Sequence, residues 1–439
     1  MIITLVMDQY GLLNNGTTAT ARHLAQALRQ NGHTVRIVTA IPNDTEDDIY
    51  VVRERHFPLG ITRIIRSHGM VLGKPQAKVL EDAIKGADVV HFFLPFKLAK
   101  KGKRIADKLG VASTAGFHVQ PENISLNIQL GWLRPFTWCL YRWWRGYFNK
   151  FAHIHAPSTM IESLLQKKGY KSKIHSISNG VNDVFVKRES ERPPEYEGKF
   201  LVLTIGRLAA EKRQDRIIKA IGKSKHNDKI RLIMCGAGPR KKKLLDLSKK
   251  HLKNPVAVKF VTKDSLVDII NYCDLYVHAS EIELEAIACM EAFACGRVPV
   301  ISDAEFSATK QFALHPENIF PHNDIDELAA RIDYFVENPD ALKAMEAEYL
   351  ELTRNYRLDK CVSELERVFE AAIADNQKRL ANIAAENAHL TKLSEREAKK
   401  YWKQKCKYQE NAFYKGAPDY NEDFINTLLG DDGSEHEYV

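Results

Sequence analysis

Residues 275–302 read LYVHASEIELEAIACMEAFACGRVPVIS, and this stretch decides the fold. The apolar runs Leu275–His278 and Val298–Ser302 predict two buried strands, and residues 285–294 between them have the length and composition of a helix. A strand, a helix and a strand in this order form a unit with parallel strands. Because ligands bind at the carboxyl ends of such strands, we expect the acidic loop after Ser280 to lie in a binding cleft.

The same alternation of short apolar runs and amphipathic segments continues on both sides of this stretch. It predicts an α/β protein with two Rossmann-like domains that face each other across a cleft. A polar segment containing Pro193 and Pro194 marks the connection between them. We place the first domain at residues 1–182, the second at 183–358, a helix that returns to the first domain at 359–379, and a helical appendage with a mobile acidic tail at 380–439.

The composition is that of a globular protein, with 44% hydrophobic and 27% charged residues. No apolar run approaches the ~18 residues that a membrane-spanning helix needs. The opening run of residues 2–7 stops at Asp8 and lacks a basic flank, so we expect no signal peptide. The seven cysteines form no Cys-x-x-Cys pair, which argues against a zinc ribbon or a disulfide framework and favours the reducing cytoplasm.

Positive charge is concentrated in the first domain. Residues 1–180 contain 24 Lys and Arg against 12 Asp and Glu, whereas the remainder contains 40 basic and 44 acidic residues. This asymmetry predicts a negatively charged partner for the first domain: nucleic acid, an anionic membrane surface or a phosphorylated ligand.

Two glutamates in the opening stretch carry the strongest site motif. Glu283 and Glu291 lie eight residues apart, about two helical turns, and a Gly-x-x-Pro-Val segment follows them. An acidic helix start stabilised by the helix dipole would explain the glutamates without a ligand. In its context the motif resembles that of the retaining glycosyltransferases of family 4, which have the GT-B fold. The resemblance implies that Glu283 contacts the donor sugar and that Glu291 binds the ribose hydroxyls of the nucleotide.

A second motif, Gly206-Arg207 with Lys212 five residues on, follows the first strand of the second domain. A glycine admits close approach to the backbone, and two cations suit a nucleotide diphosphate. The family resemblance implies that Arg207 and Lys212 hold the donor's diphosphate and stabilise it as it leaves. Gly16 belongs to a loop that resembles the family's N-terminal glycine loop, with Asn15 in place of a second glycine. Because this loop lacks the Gly-x-Gly-x-x-Gly fingerprint, a dehydrogenase is disfavoured.

His118 lies in the sequence GFHVQPEN, directly after a predicted strand. The matching histidine of the family lies near the donor sugar and the reaction centre, whereas His91, also at a strand end, is a weaker candidate. The resemblance therefore implies four catalytic candidates: His118, Arg207, Lys212 and Glu283.

The glutamate region departs from the commonest form of the family. The family's Glu-Gly-Phe-Gly becomes Glu283-Leu284-Glu285-Ala286, so Leu284 and Glu285 stand at donor-site positions and both glycines are lost. This variant and the His118 segment look like those of the bacterial diacylglycerol α-glucosyltransferases.

Asp324-Ile-Asp326 has the form of the metal-binding Asp-x-Asp motif of a different glycosyltransferase fold. It precedes a predicted helix, where N-capping explains it better. Enzymes with the GT-B fold neutralise the leaving diphosphate with Arg, Lys and helix N-termini. We therefore predict no metal and no cofactor, the UDP-sugar being a substrate.

Aromatic and basic residues are interleaved in two segments of the first domain, residues 53–78 and 132–150. Trp and Tyr prefer the headgroup layer of a membrane, and each Lys or Arg near an anionic surface contributes about 1 kcal/mol. An aromatic core with a solvated basic rim is the alternative, and nucleic acid is disfavoured because no RNA- or DNA-binding motif is present. The residues predicted to contact a membrane are Arg63, Arg66, Trp132, Trp138, Arg142, Trp143, Trp144 and Arg145.

These observations predict a retaining, metal-independent hexosyltransferase at the cytoplasmic face of the cell membrane. It would move a hexose, with glucose expected and galactose left open, from a UDP-sugar to a lipid hydroxyl such as that of diacylglycerol. Two alternatives stay open: a family 4 enzyme with a soluble or polyprenyl-linked glycan acceptor, and a non-catalytic protein that binds a membrane surface. The intact motif residues argue against the second alternative.

Overall fold

The computed structural model describes residues 1–11, 16–42, 46–58, 61–67, 70–127, 134–390 and 397. It contains two α/β domains, each built on a parallel sheet, and a long helix that follows them. This architecture confirms the predicted fold class.

The first domain is built on seven parallel strands. The strands are β1 (Ile2–Val6), β2 (Thr34–Thr39), β3 (Ile49–Val51), β4 (Val89–Phe92), β5 (Ala112–Gly116), β6 (His153–Ala156) and β7 (Lys173–Ser176). Their order in the sheet is β3-β2-β1-β4-β5-β6-β7. The helices of this domain are α1 (Gly16–Gln30), α2 (Ile61–Ser67), α3 (Ala77–Ile84), α4 (Lys97–Lys108), α5 (Pro121–Asn127), α6 (Arg134–Phe148) and α7 (Thr159–Lys167).

The second domain repeats the design with a smaller sheet. Its strands are β8 (Phe200–Ile205), β9 (Ile230–Cys235), β10 (Ala257–Lys259), β11 (Leu275–His278), β12 (Ile282–Glu283), β13 (Val298–Ser302), β14 (Phe306–Ser307) and β15 (Ile319–Phe320). Six strands form a parallel sheet in the order β10-β9-β8-β11-β13-β15, and β12 pairs separately with β14. The helices are α8 (Gln214–Lys223), α9 (Lys241–His251), α10 (Lys263–Tyr272), α11 (Ile287–Ala294), α12 (Ile325–Glu337) and α13 (Pro339–Thr353).

Side chains on opposite faces of each strand enter different cores. In β1, Ile3 and Leu5 are fully buried on one face of the sheet, and Val6 is buried on the other. Both faces are covered, so the strands are apolar runs rather than alternating patterns. In each sheet the chain starts near the centre and winds outward in both directions. The strand order therefore reverses between β1 and β4 and between β8 and β11, where a binding crevice forms.

The final helix, α14 (Leu358–Leu390), carries the chain back from the second domain to the first. Leu365 and Phe369 are buried in the same core as Ile3 and Leu5. Further along, the side-chain amide of Asn376 donates to the carbonyl oxygen of Gly110 at 2.8 Å. The helix continues past the predicted end of the returning segment, and the acidic tail lies outside the described residues.

The helices and cysteines of the described residues bear on two predictions from the sequence, that no segment spans a membrane and that no disulfide framework is present. Among the helices of the described ranges, none is both long enough and apolar enough to cross a membrane. The six cysteines within those ranges all have free thiols.

Candidate active site

An ion pair between Lys212 and Glu283 joins the segments that follow β8 and β11 in the second domain. The Nζ atom of Lys212 donates to Oε1 of Glu283, and the same oxygen lies 3.0 Å from Nε2 of His278. Burial alone would raise the pKa of Glu283, but the charge of Lys212 and the hydrogen bond from His278 hold it well below its ordinary range. The carboxylate is therefore ionised although its side chain is only 12% exposed.

A buried tyrosine orients His278. The hydroxyl of Tyr276 lies 2.9 Å from Nδ1 of His278. Burial raises the pKa of Tyr276 far above its ordinary value, so the phenol stays protonated and donates. Nε2 of His278 then carries the proton that Glu283 accepts. Neither residue was identified from the sequence, although His278 is the last residue of β11, at the carboxyl edge of the sheet, and that position is a signal.

Two glycines bring the ends of β8 and β9 close together. A Cβ atom on Gly236 would stand 2.0 Å from the carbonyl oxygen of Gly206, and the backbone of Gly236 has φ +154°. Only glycine fits such an approach. A Cβ atom built on Gly206 would lie 3.7 Å from Cε of Lys212. The next residue, Arg207, is partly exposed. The strand end thus presents open backbone and two cations to the cleft.

Glu291 lies on α11, two turns beyond Glu283, and is partly buried. Burial raises the pKa of Glu291 to about 7, and the charge of Lys263 opposes the shift. Nζ of Lys263 also lies 3.1 Å from Nε2 of His23 on α1, so this contact bridges the two domains. Lys263 was not identified from the sequence.

Leu284 and Glu285, both predicted to contact the donor, are observed in contact with the first domain. The hydroxyl of Ser158 donates to the carbonyl oxygen of Leu284 at 2.6 Å, and the Leu284 side chain packs against the first-domain core. Oε2 of Glu285 accepts from the backbone and side-chain amides of Asn179 at 3.0 and 2.7 Å. The donor loop is therefore also a domain contact.

Gly16 and His118 lie on the first-domain side of the cleft. Gly16 begins α1, and a Cβ atom built on it would meet no atom within 4 Å. The hydroxyl of Thr17 donates to the carbonyl oxygen of His118 at 3.4 Å. The imidazole of His118 stacks on Phe93 with 4.9 Å between ring centroids. The structure thus brings Lys212 and Glu283 into contact and places His118 in a separate aromatic cluster.

The Asp-x-Asp motif serves the local structure, as the sequence predicts. Asp324 is the N-cap of α12, and its carboxylate accepts from the backbone N–H of Glu327 at 2.9 Å. Asp326 pairs with Nζ of Lys223 at 2.6 Å.

The predicted membrane residues divide into two groups. Trp138 and Trp143 are 57% and 53% exposed, whereas the Trp144 side chain is fully buried in the first-domain core. The prediction that Trp144 contacts a membrane is therefore wrong, because Trp144 lies on the face of α6 that packs into the first-domain core. Trp132 lies outside the described residues.

The arginines of this set also differ in their surroundings. Arg63 and Arg142 are exposed, and Arg66, also exposed, pairs with Glu54. Arg145 is half-buried, and its guanidinium donates to the carbonyl oxygen of Lys168 at 3.0 Å.

Two parallel-sheet domains that meet around Lys212 and Glu283 define a protein of the GT-B class. The family model described as Glycosyltransferase Family 4 matches residues 14–185, and the model described as Glycosyl transferases group 1 matches residues 185–349. The chain therefore belongs to the family 4 glycosyltransferases.

Characterised relatives differ in what they transfer. A GDP-mannose-dependent alpha-mannosyltransferase of Mycobacterium tuberculosis is 25% identical over 323 residues, which cover 68% of this chain and 78% of that protein. The alpha-monoglucosyldiacylglycerol synthase of Acholeplasma laidlawii is 24% identical over 403 residues, which cover 87% of this chain and 99% of that protein.

Among solved structures, Anabaena Alr3699/HepE in complex with UDP and glucose superimposes with a TM-score of 0.67. It is 16% identical in sequence, and the match covers 84% of this chain and 99% of that chain. This likeness supports the shared fold.

Ala286 adopts a backbone conformation that favours glycine. It is the N-cap of α11 with φ +70° and ψ +66°, at the position where the family motif has its second glycine. A side chain in this left-handed region costs about 1–2 kcal/mol. We expect Ala286→Gly to raise the free energy of unfolding by about 0.5–1 kcal/mol in urea titrations. Ala347→Gly, at an exposed position within α13, is the matched control and should lower it by about 1 kcal/mol. Equal effects at both positions would contradict strain at Ala286.

Because the family resemblance implies that Glu291 binds the ribose of the donor, its raised pKa leads us to expect that nucleotide-sugar binding depends on pH. The ionised carboxylate accepts from two ribose hydroxyls at both oxygens and more strongly than the protonated carboxyl group does. The pKa of Glu291, about 7, makes the ionised fraction rise with pH. From about pH 6 to pH 8 the dissociation constant for UDP-glucose should therefore fall by up to about tenfold. Calorimetric titration measures this, and UDP-glucose is suitable because its diphosphate does not titrate in this range.

Substitution separates Glu291 from its neighbours. Glu291→Gln should remove the pH dependence and weaken binding. Glu285→Gln is the matched control, since burial also raises the pKa of Glu285 to about 7 but its partner is Asn179. That variant should retain the pH dependence. A Glu291→Gln variant whose affinity still rises with pH would exclude the ribose role.

Proposed function

We propose that this chain transfers glucose from UDP-glucose to the hydroxyl of a membrane lipid, diacylglycerol, with retention of the anomeric configuration. The product would be an α-glycolipid made at the cytoplasmic face of the membrane. The observation that carries the proposal is an exposed aromatic and basic surface on the same chain as the family 4 donor site. Transfer of galactose, or transfer to a soluble or polyprenyl-linked glycan, is an alternative outcome that the test below distinguishes.

The donor side of the mechanism rests on the second domain. Arg207 and Lys212 stand at the end of β8, where a diphosphate can approach the backbone of Gly206. Negative charge grows on the diphosphate as the glycosidic bond breaks, and fixed cations stabilise it. Glu283, kept ionised by Lys212 and His278, is available to accept sugar hydroxyls or to stabilise positive charge at the anomeric carbon.

Retention follows from the proposed geometry of attack. The lipid hydroxyl approaches the face of the sugar from which the diphosphate departs. The leaving phosphate oxygen accepts the hydroxyl proton as the new carbon–oxygen bond forms and the old one breaks. His118, which the family resemblance implies near this centre, belongs to the acceptor-side domain.

The acceptor side has a surface suited to lipid, which we name the aromatic–basic face. Nζ of Lys100 lies 3.6 Å from the ring centroid of Trp143, and the guanidinium of Arg142 lies 5.8 Å from that of Trp138. Exposed tryptophans with cations beside them suit the headgroup layer of an anionic bilayer. The face consists of Trp138, Arg142 and Trp143 on α6 with Lys100, Lys101 and Arg104 on α4.

A basic pocket of about 520 Å³ adjoins this face through Lys97, the first residue of α4. The positive charge of its lining suits the phosphate of an anionic headgroup. The other lining residues are Arg53, Glu54, Arg55, His56, Lys74 and Pro75. The similarity to the Acholeplasma laidlawii glycolipid synthase, which extends over most of both chains, supports the same acceptor class.

A transfer assay tests the proposal directly. The full-length protein is incubated with UDP-glucose, UDP-galactose or GDP-mannose and with vesicles that contain diacylglycerol, a sterol or a polyprenyl phosphate. Mass spectrometry identifies the product, and NMR gives its anomeric configuration. We expect α-glucosyl diacylglycerol. A mannosylated or polyprenyl-linked product would favour the glycan alternative, and release of no nucleotide from any donor would favour the non-catalytic one.

Substitution of Lys212 distinguishes transition-state stabilisation from simple donor binding. Lys212→Ala should lower kcat by about 10²–10³, with a smaller change in KM, because the charge that it stabilises develops during the reaction. Lys249→Ala, an exposed lysine on α9, is the matched control and should leave both constants unchanged. A raised KM with normal kcat would contradict the proposed role.

Vesicle binding tests the aromatic–basic face. Binding should rise with anionic lipid content and fall as salt shortens the Debye length from about 10 Å at 0.1 M to about 3 Å at 1 M. Trp138→Ala with Trp143→Ala should weaken the binding that remains at high salt by about tenfold. Lys101→Gln with Arg142→Gln should weaken only the salt-sensitive part.

The control for this experiment is an exposed aromatic residue elsewhere. Phe260, on the second domain, is 82% exposed, and Phe260→Ala should leave vesicle binding unchanged. Co-sedimentation that is insensitive to lipid charge and to both double substitutions would exclude membrane docking through this face.

A further inference from the structure

Three histidines of the first domain converge at the carboxyl edge of its sheet. His91 lies in β4, His118 follows β5, and His155 lies in β6, so three adjacent strands supply one imidazole each. One ring nitrogen from each residue lies within 4.8 Å of the other two. The exposed fractions of the three residues are 0%, 7% and 3%.

The converging nitrogens have no hydrogen-bond partner. Nε2 of His91, Nε2 of His118 and Nδ1 of His155 are all buried and unpaired within the described residues. A single unsatisfied buried polar atom destabilises a protein, and native structures contain few of them. Three that face one another indicate a shared ligand.

The opposite nitrogens of two rings are held by hydrogen bonds. Nε2 of His155 lies 2.7 Å from the carbonyl oxygen of Ile177, and Nδ1 of His91 lies 2.9 Å from Oγ1 of Thr114. A carbonyl oxygen only accepts, so Nε2 of His155 carries the proton and Nδ1 presents a lone pair to the cluster. Metal-binding histidines are held in the same way, with the second nitrogen bonded to a carbonyl or another polar group.

The backbone around the cluster leaves room for the rings to meet. A Cβ atom on Gly116 would stand 2.3 Å from Nε2 of His118 and 3.1 Å from Nε2 of His91. Only a residue without a side chain lets these two nitrogens approach each other here. A cavity of about 10 Å³, with His118, His155, Ser178 and Cys361 among its lining residues, adjoins the cluster. This is space for about one water molecule, which would complete a tetrahedral set of ligands.

We propose that His91, His118 and His155 form a binding site for one divalent transition-metal ion, with zinc as the ion that their chemistry fits. Three imidazoles suit Zn²⁺ or Co²⁺ and do not suit Mg²⁺ or Ca²⁺, which take oxygen ligands. Tetrahedral zinc at ~2.0–2.1 Å from each nitrogen needs the nitrogens to be about 3.3 Å apart, so metal binding must bring them closer by up to about 1.5 Å. Burial lowers the pKa of all three imidazoles, and they are therefore uncharged at neutral pH.

The three proposed ligands lie in the first domain, whereas Lys212 and Glu283 lie in the second, and His118 is the one ligand that is also a catalytic candidate. The occupancy of the metal site can be measured without any transfer reaction, so the test of this site does not depend on the proposed substrate. The competing interpretation is that hydroxyl groups of a bound sugar donate to these nitrogens. That interpretation predicts no metal in the protein.

Metal analysis of the full-length protein tests the proposal. The protein is treated with a chelator, which is then removed, and is dialysed against Zn²⁺ or against Co²⁺ alone. We expect one equivalent of zinc per chain by elemental analysis, and for cobalt the intense visible absorption of a tetrahedral complex. If the wild-type protein retains no more metal than a control protein that lacks the site, the proposal is wrong.

Variants locate the bound ion. His155→Gln should lower metal affinity by at least about tenfold. His175→Gln is the matched control, because His175 pairs with His153 outside the cluster, and it should bind as the wild type does. Undiminished metal binding in His155→Gln would overturn the assignment.

A second variant keeps the test valid if His155→Gln does not fold. Gly116→Ala crowds the converging nitrogens without removing a ligand, and it should also lower metal affinity. Circular dichroism and the thermal unfolding transition serve as the folding control for each variant. A folded Gly116→Ala protein that retains full metal affinity would contradict the geometry proposed here.

Discussion

An ionised carboxylate whose side chain is mostly buried is the constraint around which this site is built. Removing an ion from water costs several kcal/mol, so Glu283 must be paired where it lies. Lys212 supplies the opposite charge and His278 a hydrogen bond. These partners come from the segments that follow β8 and end β11, the two strands that flank the switch point of the second sheet. The topology of the sheet thus positions the charges, and the charges require the loops to stay in place.

Much of the fold follows from the sequence because most strands are buried on both faces. Such strands are short apolar runs, and β11 and β13 were predicted with the bounds that the structure has. Two strands of the first domain, Ile49–Val51 and Lys173–Ser176, lie at the edges of its sheet. An edge strand is partly solvated, so a sequence such as KIHS carries no apolar signal.

The site was only partly predictable, for a different reason. Lys212 and Glu283 were found because each belongs to a local motif, and both of these motifs lie at strand ends. The cluster of His91, His118 and His155 depends on the order of strands in space, which no local pattern reveals. His278 had a positional signal, since it ends β11, but its role requires the contacts with Tyr276 and Glu283.

Neighbouring tryptophans of α6 show how little the composition of a helix says about its orientation. Successive residues of a helix point about 100° apart, so Trp143 and Trp144 face different surroundings. Tyr141, Trp144 and Phe148 form the buried face, while Trp138, Arg142 and Trp143 share the opposite one. Interleaved aromatic and basic residues are compatible with either orientation. Packing against the sheet decides between them.

The loss of the first family glycine after Glu283 has a structural explanation in the contact between the domains. The carbonyl oxygen of Leu284 accepts from Ser158, and its side chain packs on the first-domain core. The carboxyl group of Glu285 binds Asn179. A glycine at position 284 would lack this apolar surface, and the phenylalanine of the family motif at position 285 would lack the carboxyl group. Ala286 remains in the left-handed conformation that the family's glycine would adopt, so the backbone path is kept while the side chains are replaced. The segment that holds Glu283 therefore also joins the domains, and any separation of the domains must disturb the loop that carries this carboxylate.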